Sequence, residues 1–173
     1  MNVPTAKLMV LIGEHFACVK VAGRANFATS VDFKTVLAGL ESKGYPVIVI
    51  ELSDCSLMDS TFLGVLAAFG VKLNPTEADC VKQVIELRNA NERLLELLEN
   101  LGVLHLFKIC QGELPDCREV ASDACNPSRE ALTRASLEAH QTLMEINPAN
   151  VSRFKDVTKF LAEDLERIKS RSE

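Results

Sequence analysis

The residues with the most chemical potential form one stretch, Ser53-Asp54-Cys55-Ser56-Leu57-Met58-Asp59-Ser60-Thr61, directly after the apolar run Val47-Ile48-Val49-Ile50. In parallel sheets, sites gather at the carboxyl ends of strands, where the next helix begins. Ser60 and Thr61 fall in the first turn of such a helix, where a hydroxyl is exposed to a phosphoryl donor. A phosphate there meets unpaired backbone N–H groups and the positive end of the helix dipole. It also brings roughly −1.5 to −2 charges beside Asp59 and near Asp54. Attraction and repulsion oppose each other locally, so the fold tolerates the modification while the surface shown to a partner changes sharply. The plainer reading of Asp59-Ser60-Thr61 is a helix-capping trio, and the residues alone leave both readings standing.

Other chemistries find less support. Structural zinc takes Cys/His pairs about two to four residues apart. Here Cys110, Cys117 and Cys125 are separated by six and seven residues, with His140 alone downstream, so no metal and no cofactor are expected. His15, His105 and His140 fall in a turn, a strand and a helix, with no nucleophile elbow beside them, and read as structural or solvated. No Gly-rich loop ends in Lys, which argues against nucleotide hydrolysis, and no catalytic residue is expected. Net charge is −5, from 19 Lys+Arg and 24 Asp+Glu, with no basic stripe to follow a phosphate backbone. Absence of Trp and a single Tyr leave little stacking surface for bases. Nucleic acid is therefore not an expected partner.

The elements that must position the Asp59 loop follow from periodicity. Lys7–Gly13 and Phe16–Ala22 read as a hairpin. A helix is expected from Ser30 to Lys43-Gly44, a doubly buried strand over Val47–Ile50, a polar loop over Ser53–Ser56, and a second helix from Asp59 to Asn74-Pro75. Cys80–Leu87 reads as a strand, Asn89–Asn100 as a helix closed by Gly102, and Val103–Ile109 as a last strand. Four of the six cysteines, Cys18, Cys55, Cys80 and Cys110, lie in or beside these apolar segments and behave as small hydrophobes. Strand-like runs stop after Gly112. Asn126-Pro127 and Asn147-Pro148 then mark two helix starts. The second helix carries the stripe Val151, Phe154, Val157, Leu161, Leu165 and Ile168. The fold class is α/β: a mixed, partly parallel sheet of about five strands with helices packed against it, plus a C-terminal α-helical hairpin. Residues 1–112 and 113–173 form its two parts. The hairpin cannot bury both its stripes alone and must pack on the first part or on another chain. The longest apolar run, Phe62 to Val71, has ten residues against the roughly 18 of a membrane span. With no secretory pattern at the N-terminus, the chain reads as cytoplasmic.

Element order and loop together resemble the STAS domain family of anti-sigma factor antagonists and sulfate transporter tails, over roughly residues 5–112. Gly23-Arg24-Ala25-Asn26 with Thr29 is similar to that family's turn into its first helix, Gly-Glu-Leu-Asp in many members. Val47–Leu52 matches its central strand. Asp59-Ser60-Thr61-Phe62-Leu63-Gly64-Val65 matches its Asp-Ser-Ser/Thr-Gly-Leu-Gly-Val. The resemblance implies phosphorylation at Ser60, with Thr61 as second choice, by a serine kinase of the ATPase fold that is also the anti-sigma factor. A metal-dependent protein phosphatase reverses it. Asn26, Asp54, Met58, Asp59, Phe62 and Gly64 are the implied partner-binding residues. Two departures stand out: Phe62 replaces the usual Gly and offers an apolar partner contact, and Asn26 replaces the usual Asp.

The resulting expectation is a non-enzymatic, phosphorylation-controlled switch, an anti-sigma factor antagonist of the bacterial type that binds its kinase when Ser60 is unmodified. The alternatives are a scaffold of the same fold that forms a homodimer through its C-terminal helices, and a small-ligand sensor using the loop near Asp54 and Asp59.

Overall fold

The computed structural model describes residues 5–74, 83–122 and 125–172. The hairpin β1 (Lys7–Gly13) and β2 (Phe16–Ala25) opens the chain, followed by α1 (Phe27–Ser42), β3 (Val47–Glu51), β4 (Cys55–Met58) and α2 (Ser60–Leu73). β5 (Val84–Arg88), α3 (Glu92–Asn100), β6 (Lys108–Cys110), β7 (Cys117–Val120), α4 (Arg129–Ile146) and α5 (Val151–Ser172) complete it. The main sheet runs β6-β5-β3-β2-β1-β7, with β4 pairing the end of β2. β1 is antiparallel to β2 and β7, while β2, β3, β5 and β6 are parallel. Parallel pairs need a crossover, which α1 supplies between β2 and β3, α2 between β3 and β5, and α3 between β5 and β6.

Alternation along the strands sorts the two faces. Ala17, Val19, Val21, Ile48, Ile50, Ile85 and Leu87 point into one cluster with Phe33, Leu37, Phe62, Leu66, Leu94 and Leu98. Cys18, Val49, Glu51 and Glu86 are buried on the opposite face. Burial, reinforced by the Glu51 carboxylate, pushes the Cys18 thiol up to about 12, so it stays protonated at neutral pH as an inert core group.

The sheet has seven strands among the described residues, where about five were expected. The two additions are β4 and β7, both read as loop from sequence. β4 has four residues with Ser56 exposed, and β7 is a four-residue edge strand carrying Arg118 and Glu119. Neither is long or apolar enough to set a period. β4 exists because Gly23, at φ +94°, bends β2 out of register, so its last residues leave β3 and pair with Cys55, Leu57 and Met58.

Other boundaries shift by local hydrogen bonding. α1 begins at Phe27, not Ser30, because Asn26 accepts from the Ala28 N–H; Ser30 is buried and donates to the Phe27 carbonyl at 2.6 Å. Of the strand expected over Val103–Ile109, Leu104–Leu106 form a 3-10 turn and only Lys108 and Ile109 lie in a strand, β6. α4 starts at Arg129 with Ser128 as its cap, two residues after the expected Asn126-Pro127. Cys80, the expected start of a strand, lies outside the described residues. No helix among the described residues is long and apolar enough to cross a membrane.

The C-terminal helices pack on the sheet domain within one chain. α4 lies across α1 and α2, and α5 packs on α4. The elbow between them is a 3-10 turn, Pro148–Asn150, capped by Asn147 as the Asn-Pro pair predicted. Asn150 is buried and donates at 2.9 Å to both Leu101 O and Leu143 O, the terminal carbonyls of α3 and α4. Leu101 O, at the C-cap of α3, is an orphan acceptor that a helix end must satisfy, while Leu143 O in the last turn of α4 also accepts from the Asn147 N–H at 3.2 Å. Asn150→Ala removes both donors and is expected to cost about 1–2 kcal/mol, read as a lower urea midpoint with an unchanged m-value.

Candidate functional site

The site is the place where the N-termini of α1 and α2 lie side by side. Two side chains hold them there. Asn26 caps α1 through Ala28 N–H at 3.1 Å. Asp59 caps α2 through its Oδ1, which accepts from Phe62 N–H at 2.9 Å, while its Oδ2 accepts from Phe27 N–H at 2.8 Å. One carboxylate therefore joins the first turns of both helices, and the Asp59 backbone N–H donates to Ala25 O at 2.9 Å, tying the junction to β2. Both positive helix ends converge on it, which favours an anion in this region.

Ser60 is half-buried in the first turn of α2 and Thr61 is buried beside it. Both hydroxyls meet α4. Ser60 Oγ lies 2.8 Å from His140 Nε2, and Thr61 Oγ1 lies 2.9 Å from Ser136 Oγ. His140 Nδ1 is 2.6 Å from the Ser136 carbonyl. A carbonyl only accepts, so Nδ1 carries a proton, and in the neutral form of the ring Nε2 accepts from the Ser60 hydroxyl. His140 is itself buried, with the Phe154 ring of α5 edge-on at 5.0 Å. Ser60, His140 and Phe154 thus stack outward from α2 through α4 to α5.

The remaining predicted residues divide between surface and core. Asp54 is exposed and pairs with Lys20 Nζ at 2.9 Å. The bond to Asp54 raises the Lys20 pKa. Met58 is buried under the end of β4. Phe62, expected as an apolar partner contact, has no exposed surface; its ring stacks on Phe33 at 4.2 Å and 17°. An aromatic pair of this kind prefers the core, and here it clamps α1 to α2. Gly64 sits beneath α4, where an added Cβ would lie 2.5 Å from the Ala139 carbonyl oxygen. While α4 is in place, Thr61, Phe62 and Gly64 are out of a partner's reach.

Sequence reasoning missed His140 and Ser136 as members of this site. The available signal was that both share a side of α4 with the apolar Ala139 and Leu143, an odd place for polar groups unless something pairs them. Lys34 of α1 and Glu138 of α4 add an exposed bond at 3.1 Å, a pair worth under about 1 kcal/mol.

The family model for the STAS domain matches residues 7–113. No curated protein matches the sequence. Among solved structures, an anti-sigma factor antagonist from Mycobacterium paratuberculosis is 18% identical with a TM-score of 0.52, over 61% of this chain and 85% of that one. The anti-sigma factor antagonist SpoIIAA in its unphosphorylated form is 13% identical with a TM-score of 0.45, over 64% of this chain and 89% of that one. The first of these likenesses shows a shared fold.

Proposed function

The chain belongs to the STAS domain family, and on that premise we propose that it is a protein-binding switch of the anti-sigma factor antagonist type, controlled at Ser60. The observation that carries this reading is the position of Ser60: first residue of α2, next to the Asp59 carboxylate that caps both helices. The partner is an anti-sigma factor that is also a serine kinase of the ATPase fold. In the phosphorylation step the Ser60 Oγ forms a bond to the γ-phosphorus of ATP, the bond to the β–γ bridging oxygen breaks, and the hydroxyl proton passes to a base on the kinase. A metal-dependent phosphatase returns the hydroxyl with water as nucleophile. Thr61 is the weaker candidate because it is more deeply buried, at 4% exposure.

Phosphorylated Ser60 places its charge beside Asp59, and a partner that docks here must desolvate both. Asp54 and Asp59 are each already engaged, by Lys20 and by two backbone N–H groups, which favours a docking surface over a small-ligand pocket. The test is incubation of the chain with candidate kinases and ATP, followed by phosphopeptide mapping and binding measurements on Ser60→Ala and Ser60→Asp. Label on the Ser60 peptide and at least tenfold weaker kinase binding by Ser60→Asp than by Ser60→Ala are expected. Equal affinities would point instead to a scaffold in which Ser60 serves only the contact with His140.

A further inference from the structure

We propose that the α4–α5 hairpin is a displaceable internal cap: it occupies the α1–α2 face that the partner must use, so the partner or its kinase activity is admitted only when α4 lifts away. This rests on the proposed function of Ser60 and names its regulation.

Three observations carry it. First, α4 covers the relevant hydroxyls directly, through Ser60–His140 and Thr61–Ser136. The Ser60 hydroxyl is hydrogen-bonded to His140 Nε2, and a kinase cannot align ATP on an oxygen facing a packed helix. Second, beside the buried Leu143, much of the contact is made of groups that water satisfies when they separate. They are three hydroxyls (Ser60, Thr61 and Ser136), one imidazole, the exposed Lys34–Glu138 bond, and small residues meeting at Gly64 and Ala139. Third, α4 fills the groove incompletely. A cleft of about 110 Å³ remains between it and α1–α2, with Gly64, Val65, Phe69 and Ala139 among its apolar lining and Lys34 and Glu138 among its polar lining. Atoms lining a void lose their dispersion contacts, so this layer is held less tightly than the sheet core. The family match ends at residue 113, before the hairpin begins, so the part matched is a sheet domain without this layer.

The geometry also describes what replaces α4. The groove accepts an amphipathic helix with a small residue over Gly64, where no Cβ is tolerated on the α2 side. One turn away that helix presents a hydroxyl or imidazole to Ser60 and Thr61.

Hydrogen exchange of the full chain, read by mass spectrometry, tests the cap without any partner. Amides of α4 are expected to exchange at least 100-fold faster than those of β2, β3 and β5. Ala139→Leu, which has no room against Gly64, is expected to raise α4 exchange at least a further tenfold with the sheet unchanged. His140→Ala, which adds no bulk, is the second variant and moves in the same direction. Exchange of α4 together with the sheet in the native chain and in both variants would overturn the cap. With the purified kinase present, the opened variants are expected to bind at least tenfold tighter and to be labelled faster at Ser60; equal affinity and rate would overturn it as well. Failure of native and opened chains alike to bind any such kinase would remove the antagonist reading, while the exchange pattern still decides the cap.

Discussion

Phe62→Ala is expected to lower the unfolding free energy by about 3–5 kcal/mol, with a fall in Tm of roughly 10 °C and a matching shift of the urea midpoint. The ring has no exposed surface and lies flat against Phe33 between α1 and α2. Truncation removes the transfer free energy of a whole phenyl group and leaves a cavity that two helices pinned together by Asp59 cannot collapse to fill. The loss is a large share of the roughly 5–15 kcal/mol that holds an ordinary domain. It also acts on the site. Phe62 donates its N–H to Asp59 Oδ1, so loosening the stack loosens the junction that presents Ser60. Phe62→Leu, which keeps most of the volume, is expected to cost roughly 1 kcal/mol. Similar losses for both variants would mean that the aromatic stack itself, and not the volume it fills, carries the stabilisation.

Gly64→Leu is the second large effect, expected at about 3 kcal/mol, the upper end for overpacking. Glycine inside a helix is a burden, and replacing it ordinarily gains about 0.5–1 kcal/mol. Here steric collision wins. The nearest atoms to an added Cβ are the Ala139 carbonyl oxygen at 2.5 Å and its Cβ at 2.6 Å, and backbone does not rotate away as a side-chain tip does. The strain is relieved by moving α4, so the variant is expected to lose the Ser60–His140 bond and to gain protease sensitivity in residues 125–172 while the sheet stays folded. Chemical denaturation followed separately in the sheet and the hairpin checks this. A net gain in stability would show that α4 can shift by about an ångström without cost.

Much of the framework was legible along the chain. The hairpin, the doubly apolar β3, the α3 periodicity and the Asn147-Pro148 elbow each depend on neighbours within a few residues, so period and capping chemistry expose them. Asp59 was equally legible as the N-cap of α2. β4 was not, because its pairing comes from a bend in β2 more than thirty residues earlier, as the bond from Ser56 Oγ to Gly23 O shows at a separation of 33. The role of Phe62 was misjudged for the same reason. A large apolar residue at a helix start looks like a contact surface until the helix beside it brings Phe33 over its face.

The sequence by itself determined the elements, the position of Ser60 at a helix start, and the need of the C-terminal stripes for cover. Only the tertiary structure decided that this cover lies over Ser60 itself. The reason is physical. Caps and periods are set by hydrogen bonds and side-chain spacing within one or two turns. The Ser60–His140 and Thr61–Ser136 bonds instead join residues 80 and 75 positions apart. Their existence depends on which faces of α2 and α4 meet, and that is settled by packing at Gly64 and Ala139, not by any local pattern.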